Sequence, residues 1–158
     1  MGKEKTWKAG PWARMVCALG LAAGLAVTPA YAAGWSQEGE NWYYYGEAGE
    51  RKNGWVQADE DGLWYYLDNE TGRWVRRPVL DTEAAVHLME NAIKKSGYYQ
   101  NEEQPVEVRE DWRDEKTVYL SVRVITGPNS DTRLNNYEVN RRTGAVKAAV
   151  GENFNLYD

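Results

Sequence analysis

Cysteine and histidine, which supply many protein nucleophiles and metal ligands, are nearly missing from this chain of 158 residues. It has one cysteine, Cys17, and one histidine, His87. A single histidine allows neither a Ser-His-Asp triad nor a zinc site. His87 falls within a predicted helix beside Leu88, where a satisfied or solvated ring is the simpler interpretation. The sequence therefore predicts a protein that is not an enzyme and that carries no metal and no cofactor.

Clustered carboxylates do not change that expectation. The acid-rich stretches 59–61 and 110–115 raise the alternatives of a calcium site or of paired catalytic carboxylates. Neither stretch has the glycine and ligand spacing of an EF-hand loop. The chain also has no recognisable cleft pattern for a glycosidase that uses two carboxylates. Solvated turns are the better interpretation of both.

Basic charge is in deficit. The whole chain has 19 basic and 24 acidic residues. Residues 1–32 contain four of the basic residues and one acidic residue, so residues 33–158 carry 15 and 23, a net charge of −8. Nucleic-acid binding needs a basic footprint, and docking on an anionic membrane needs the same. The sequence therefore predicts neither nucleic acid nor an anionic membrane as a partner.

Long apolar runs are also scarce, and the one present lies near the N-terminus. Residues 15–27 are uncharged, follow Lys3, Lys5, Lys8 and Arg14, and precede the small-x-small sequence Ala30-Tyr31-Ala32. This pattern predicts a signal peptide over 1–32 and secretion, with an uncleaved anchor as the alternative. About 13 apolar residues are too few for a comfortable membrane span of about 20. Cleavage after Ala32 would also remove Cys17, which leaves no disulfide and no site for a lipid anchor.

Aromatic residues, in contrast, are abundant and periodic. Gly34-Trp35 is followed by Trp42-Tyr43-Tyr44-Tyr45, and Gly54-Trp55 is followed by Trp64-Tyr65-Tyr66-Leu67. A period of about twenty residues is typical of a stacked repeat. Each copy predicts a hairpin, with turns at 38–40 and 59–62. Because an isolated hairpin is marginal in water, the two units are expected to stack.

Composition changes at Arg76-Arg77-Pro78, which divides the chain into a repeat module, 33–78, and a second module, 79–158. A helix is predicted from the N-cap Asp81 to Gly97, with Leu88, Met89, Ala92 and Ile93 on one face. Strands are expected at 106–112, where Val106, Val108 and Trp112 alternate, and at 117–125, 134–140 and 145–150, with a loop at 127–132. The predicted fold class is α+β: short hairpin repeats, then one helix on a four-stranded antiparallel sheet.

The aromatic phrase resembles the cell-wall-binding repeat, also called the choline-binding repeat, of secreted Gram-positive bacterial proteins. The resemblance covers residues 34–78. It implies hairpins that wind into a solenoid, with ligand held between consecutive hairpins. It also implies a cage of three aromatic rings around the quaternary ammonium of choline on wall teichoic acid. A quaternary ammonium has no N–H to donate, so aromatic faces bind it by cation–π attraction, at about 0.5–2 kcal/mol per ring.

Carried onto this chain, the resemblance implies two cages. The first is Trp35 and Trp42 with Tyr66, which is preferred to Tyr65 because Trp64 and Tyr66 share a strand face. The second, incomplete cage is Trp55, Trp64 and Trp74. Arg51 departs from the family pattern, since it puts a cation where a hydrophobic residue is usual. The repeats stop at Arg77-Pro78, so at most one complete site is expected.

Several alternatives stay open. The aromatic residues could form only the core of a small repeat, or they could stack on sugar rings of another wall glycan, as glucan-binding variants do. The segment 137–146 is similar to the last hairpin of PepSY-like domains, which implies a regulatory or inhibitory module with a peptidase as protein partner. A catalytic second module targeted by the repeats is a third hypothesis. End-to-end stacking of two chains could lengthen the array.

Overall fold

The computed structural model of the protein describes residues 32–99 and 103–158. Its architecture within these residues is mixed, with one helix and nine strands in antiparallel sheets. The predicted signal peptide, apart from Ala32, lies outside the described residues. No helix in the described part of the chain is both long and apolar enough to cross a membrane.

Both predicted hairpins are present. The first pairs β1 (Gly34–Glu38) with β2 (Asn41–Tyr45), and the second pairs β3 (Gly54–Gln57) with β4 (Trp64–Leu67). The glycine that precedes each leading tryptophan has a positive φ, 112° at Gly34 and 71° at Gly54. Glycine adopts such angles without the steric penalty of a Cβ atom. This explains why Gly-Trp begins each copy of the repeat.

The helix α1 (Thr82–Ser96) begins and ends as predicted. The Ala84 N–H donates to the Asp81 carboxylate at 2.8 Å, and Gly97 closes the helix with φ 72°. Its apolar face covers the sheet: Ala84, Ala85 and Met89 are fully buried, with Leu88, Ala92 and Ile93 beside them. The local capping and spacing signals were sufficient to define this element.

The C-terminal sheet has five strands, where four were predicted. Its order is β5 (Val106–Arg113), β6 (Thr117–Gly127), β7 (Ser130–Asn140), β8 (Ala145–Ala148) and β9 (Phe154–Asn155). The missed strand, β9, has only two residues and pairs with β8. The predicted loop 127–132 was too long, because β7 starts at Ser130 and pairs with β6 from its first residue. A two-residue strand carries too little alternation to be seen in a sequence.

Trp112 does not lie on the face predicted for it. Val106 and Val108 pair with Val124 and Val122 on the buried face of the sheet, but the register shifts between Glu110 and Trp112. A β-bulge adds one residue to a strand, and side chains beyond it change face. Trp112 consequently pairs with Tyr119 on the outer face, where 58 % of its surface is exposed.

The described residues contain two hydrophobic clusters. The larger lies between α1 and the sheet, and Trp55 of the second hairpin packs against it. The smaller lies within the hairpins, around buried Tyr44, Ala58 and Leu67. The predicted joint at Arg76-Arg77-Pro78 is tied to the C-terminus, since the Tyr157 hydroxyl donates to the Pro78 carbonyl at 2.8 Å. The second hairpin thus contacts both the first hairpin and the helix α1.

Candidate functional site

Each hairpin has two different faces, which the strand register defines. Trp35 pairs with Tyr44 and Gln37 with Trp42, and these four residues form the tryptophan face of the first hairpin. The corresponding tryptophan face of the second hairpin contains Trp55, Gln57, Trp64 and Tyr66. The opposite, or tyrosine, face carries Tyr43 and Tyr45 in the first hairpin and Val56, Tyr65 and Leu67 in the second.

The tryptophan face of the first hairpin packs on the tyrosine face of the second. The Trp35 ring lies 4.8 Å from Tyr65 and 6.1 Å from Trp74, with the planes at 80° and 70°. Aromatic pairs in this edge-to-face geometry add about 0.5–1.5 kcal/mol each beyond their area burial. The rings therefore hold the two hairpins together.

Hydrogen bonds at the rim of this interface fix the orientation of two tyrosines. The Tyr44 hydroxyl accepts from the Asp59 N–H at 3.3 Å and approaches the Glu60 carboxylate at 3.5 Å. The Tyr65 hydroxyl donates to the Asp61 carboxylate at 2.6 Å. Burial, together with the bond to Asp61, raises the pKa of Tyr65. Both rings thus stay neutral phenols at ordinary pH.

The first predicted cage differs in composition from the group that the structure assembles. Trp35 contacts Tyr65 and Trp74, whereas Tyr66 lies on the other face of the second hairpin. Trp74, which the resemblance implies for the second cage, belongs to this group instead. Trp42 shares the tryptophan face with Trp35, is half-buried, and its carbonyl accepts the Trp74 N–H at 2.8 Å. The strand faces were predicted correctly, but not which face meets the first hairpin.

The tryptophan face of the second hairpin packs on α1. The His87 ring stacks on Trp64 with centroids 3.9 Å apart and planes at 26°, and it lies 5.0 Å from Trp55. Tyr66 flanks the group, 5.3 Å from Trp55. The space assigned to the second cage is therefore occupied by a side chain of the helix.

Polar contacts fasten the helix to the same strand. The Asn91 side chain accepts the Trp64 N–H and donates to the Trp64 carbonyl, both at 2.7 Å, as a neighbouring strand would. Asn91 is buried, and every buried side-chain polar atom among the described residues has a partner. Lys94 adds a bond from its Nζ to the Gly62 carbonyl at 3.1 Å. The helix thus covers the tryptophan face of the second hairpin.

His87 also has two carboxylates on its own helix. Its Nδ1 lies 3.3 Å from a Glu90 carboxylate oxygen, and its Nε2 lies 3.9 Å from one of Glu83. Sequence reasoning missed this group, although its members recur at helical spacing on one face. The His87 ring thus lies between aromatic faces and carboxylates.

A cation, Arg51, covers the tyrosine face of the first hairpin. The Arg51 guanidinium carbon lies 4.0 Å from the Tyr43 ring centroid and 5.6 Å from that of Tyr45. Its Nη2 donates to both Glu38 carboxylate oxygens, at 3.0 and 2.8 Å. Arg51, the residue that departs from the family pattern, therefore lies outside the interface between the hairpins. The tyrosine face of the first hairpin thus holds a cation with the help of a neighbouring carboxylate.

Over residues 32–99 and 103–158, no group of three or more His, Cys, Asp or Glu side chains could hold a metal ion. Comparison with protein-family models, with curated proteins and with solved structures found no match to this chain.

Proposed function

We propose that this protein is a secreted, non-catalytic cell-wall-binding protein, whose hairpin repeats bind choline-bearing teichoic acid or a related wall glycopolymer. The proposal starts from the repeat itself and its resemblance to the cell-wall-binding repeat. Its partners would be wall glycans in the first place. The acidic charge of residues 33–158 disfavours nucleic acid.

One observation carries the proposal: an aromatic face of the hairpins already holds a cationic group. The Arg51 guanidinium carbon lies 4.0 Å from the Tyr43 ring centroid, and the guanidinium pairs with the Glu38 carboxylate. A choline head group would be attracted to an aromatic face by the same cation–π interaction, without needing any hydrogen bond.

Two parts of the chain itself, Arg51 and α1, limit where ligand can bind. The tyrosine face of the first hairpin is covered by Arg51, and the tryptophan face of the second is covered by α1. The third aromatic surface is the tryptophan face of the first hairpin, where half-buried Trp42 lies beside the contact of Trp35 with the second hairpin. We assign the ligand to the edge of this interface, with Trp42 as its main contact. One site of two or three rings would bind choline at about millimolar affinity.

The repeats can be understood as the first turn of a solenoid that α1 closes. The tryptophan face of one unit packs on the next element along the chain in both cases, first on a hairpin and then on a helix. A terminal repeat needs such a cap, since its exposed face would otherwise be apolar. Firm attachment to a wall would then need several chains or further contacts, by avidity.

Tryptophan fluorescence during a choline titration of residues 33–158 tests the proposal. We expect a saturable change with a midpoint on the order of 1 mM, and we expect Trp42→Ala to abolish it. Trp112→Ala is the matched control, since it removes an exposed tryptophan on the far side of the second module. A response that is equal in Trp42→Ala and in the parent would contradict the assignment.

A regulatory PepSY-like protein that acts on a peptidase is the second candidate. One observation favours it: α1 covers only one face of the sheet, and the outer face keeps Trp112 exposed. In that case the hairpins would be a structural extension only. The first candidate predicts that the parent binds purified wall and that Trp42→Ala binds it less. The second candidate predicts no difference between the two.

A further inference from the structure

The outer face of the five-stranded sheet has the features of a ligand site that the hairpin proposal does not use. The face opposite α1 carries an aromatic pair, Trp112 and Tyr119, whose ring centroids are 5.0 Å apart with planes at 36°. The β-bulge after Glu110 turns Trp112 to this side. A tryptophan that is 58 % exposed and supported by a second ring is a ready stacking platform.

A groove begins at this platform and continues along the strands. One concavity of about 570 Å³ is lined by Trp112, Tyr119, Asn136 and neighbours on β8. A second of about 480 Å³ adjoins it and shares Glu138 and Lys147. Each has the size of an ordinary small-ligand site. Together they would accommodate an extended chain better than a single small molecule.

The charges around the platform cancel one another. Six side chains form a continuous chain of ion pairs from Glu107 to Arg133, and Lys147 pairs separately with Glu138. The two pairs that line the first concavity are Arg133 with Asp111, at 3.1 Å, and Lys147 with Glu138, at 3.4 Å. A charged ligand would gain little from a platform whose surrounding charges are paired.

Neutral carbohydrate fits this combination. A sugar hydroxyl both donates and accepts hydrogen bonds, so a paired Arg and Asp offer it one partner of each kind. The C–H face of a pyranose stacks on an indole ring. Peptides or anionic polymers would instead require an apolar pocket or an excess of positive charge.

We propose that this outer face is a second binding site, which takes a neutral polysaccharide chain with one sugar ring stacked on Trp112. Tyr119 supports the stacked ring, and the side chains of Arg133, Asn136 and Glu138 contact the hydroxyl groups along the groove. The proposal is independent of choline binding by the hairpins. It would give one chain two contacts with a wall, one at each end.

Titration calorimetry of residues 33–158 with neutral tetrasaccharides tests this site. The panel contains the β-1,4-linked tetramers of N-acetylglucosamine and of glucose, and the β-1,3- and α-1,6-linked glucose tetramers. We expect saturable binding of at least one of them, and at least a fivefold weaker affinity in Trp112→Ala, roughly the loss of one aromatic contact. Tyr98→Ala is the matched control, because Tyr98 is another exposed aromatic residue, 60 % accessible, outside the groove.

The result of the choline titration separates this proposal from the first. Trp42→Ala should lose the choline response and keep the sugar affinity, and Trp112→Ala should do the reverse. Failure of every tetrasaccharide to bind would overturn the proposal, as would equal binding by Trp112→Ala and Tyr98→Ala. A dimer that forms with rising concentration and is lost in Trp112→Ala, without sugar binding, would assign the face to self-association and overturn it too.

Discussion

The same aromatic face meets two different partners in this protein. In the first hairpin the tryptophan face packs edge to face on another hairpin, through Trp35, Tyr65 and Trp74. In the second hairpin it packs on a helix, through a flat stack of Trp64 with His87 and two backbone bonds to Asn91. The residues of the tryptophan face recur in both hairpins, but the elements that pack on this face differ.

The difference shows what such a face requires. It needs a ring or apolar group to cover its indoles, and it needs a partner for polar backbone atoms that would otherwise be buried alone. A further hairpin supplies both, and so does a helix that carries His87 and Asn91. The array can therefore end after two units without leaving an exposed aromatic surface. Because the helix belongs to the second module, this ending also joins the two modules.

Removal of Trp35 should have the largest effect, because it breaks the hairpin–hairpin interface at its centre. Trp35→Ala loses ring contacts with Tyr44, Tyr65 and Trp74. We expect the free energy of unfolding to fall by about 3 kcal/mol. Hydrogen exchange should show the loss of protection concentrated in residues 34–75. Trp112→Ala, on the exposed face, should change stability by less than about 0.5 kcal/mol.

Removal of Asn91 should break the other interface. Asn91→Leu leaves the part-buried Trp64 N–H and carbonyl without these two bonds, which costs about 2 kcal/mol. Urea unfolding measures the loss. The control is Lys94→Ala, whose bond to Gly62 is exposed and should contribute less than about 0.5 kcal/mol. Equal effects of the two substitutions would mean that Asn91 does not fasten the helix.

The sequence predicts the strands and strand faces that form these interfaces, but not which faces pack together. Strand alternation placed Trp64 and Tyr66 on one face, and Gly-Trp phrases marked both hairpins, because these signals are local. The choice of Tyr65 over Tyr66 as the neighbour of Trp35 depends on which side the first hairpin packs, and no local pattern contains that information.

The same reason explains why the sequence indicated neither the outward position of Trp112 nor the partners of His87 and Asn91. The outward turn of Trp112 comes from a bulge, and a bulge depends on pairing between strands rather than on the residues of one strand. His87 and Asn91 stand at helical spacing, yet their partner lies 23 or more residues earlier in the chain. Long-range packing of this kind is not encoded in a window of sequence.

Replacement of His87 should have a smaller effect, since Asn91 keeps the helix in place. His87→Ala removes the ring stacked on Trp64 and should lower stability by about 1 kcal/mol. His87→Phe retains a ring but not the approach to Glu83 and Glu90. Thermal unfolding should therefore rank parent and Phe variant close together, both above Ala. An Ala variant as stable as the parent would show that the stack contributes nothing.

Alkaline pH should weaken the first interface through Tyr65. Its pKa is raised by burial and by the bond to Asp61, so the folded state holds the phenol proton more tightly than the unfolded state. This contribution is complete below the unfolded pKa of about 10 and is lost as pH rises above it. Tyr65→Phe should reduce stability at pH 7 by about 1 kcal/mol. The same variant should show a shallower decline in urea midpoint from pH 9 to 11. An unchanged slope would contradict the role of Tyr65.

Co-sedimentation with purified choline-bearing cell walls tests the central claim most directly. The account predicts that residues 33–158 pellet with the wall and that free choline lowers the bound fraction. Trp42→Ala should lower the bound fraction too and no longer respond to choline, while Trp112→Ala still responds. A bound fraction that neither choline nor Trp42→Ala reduces would contradict the claim that the aromatic hairpins hold the wall.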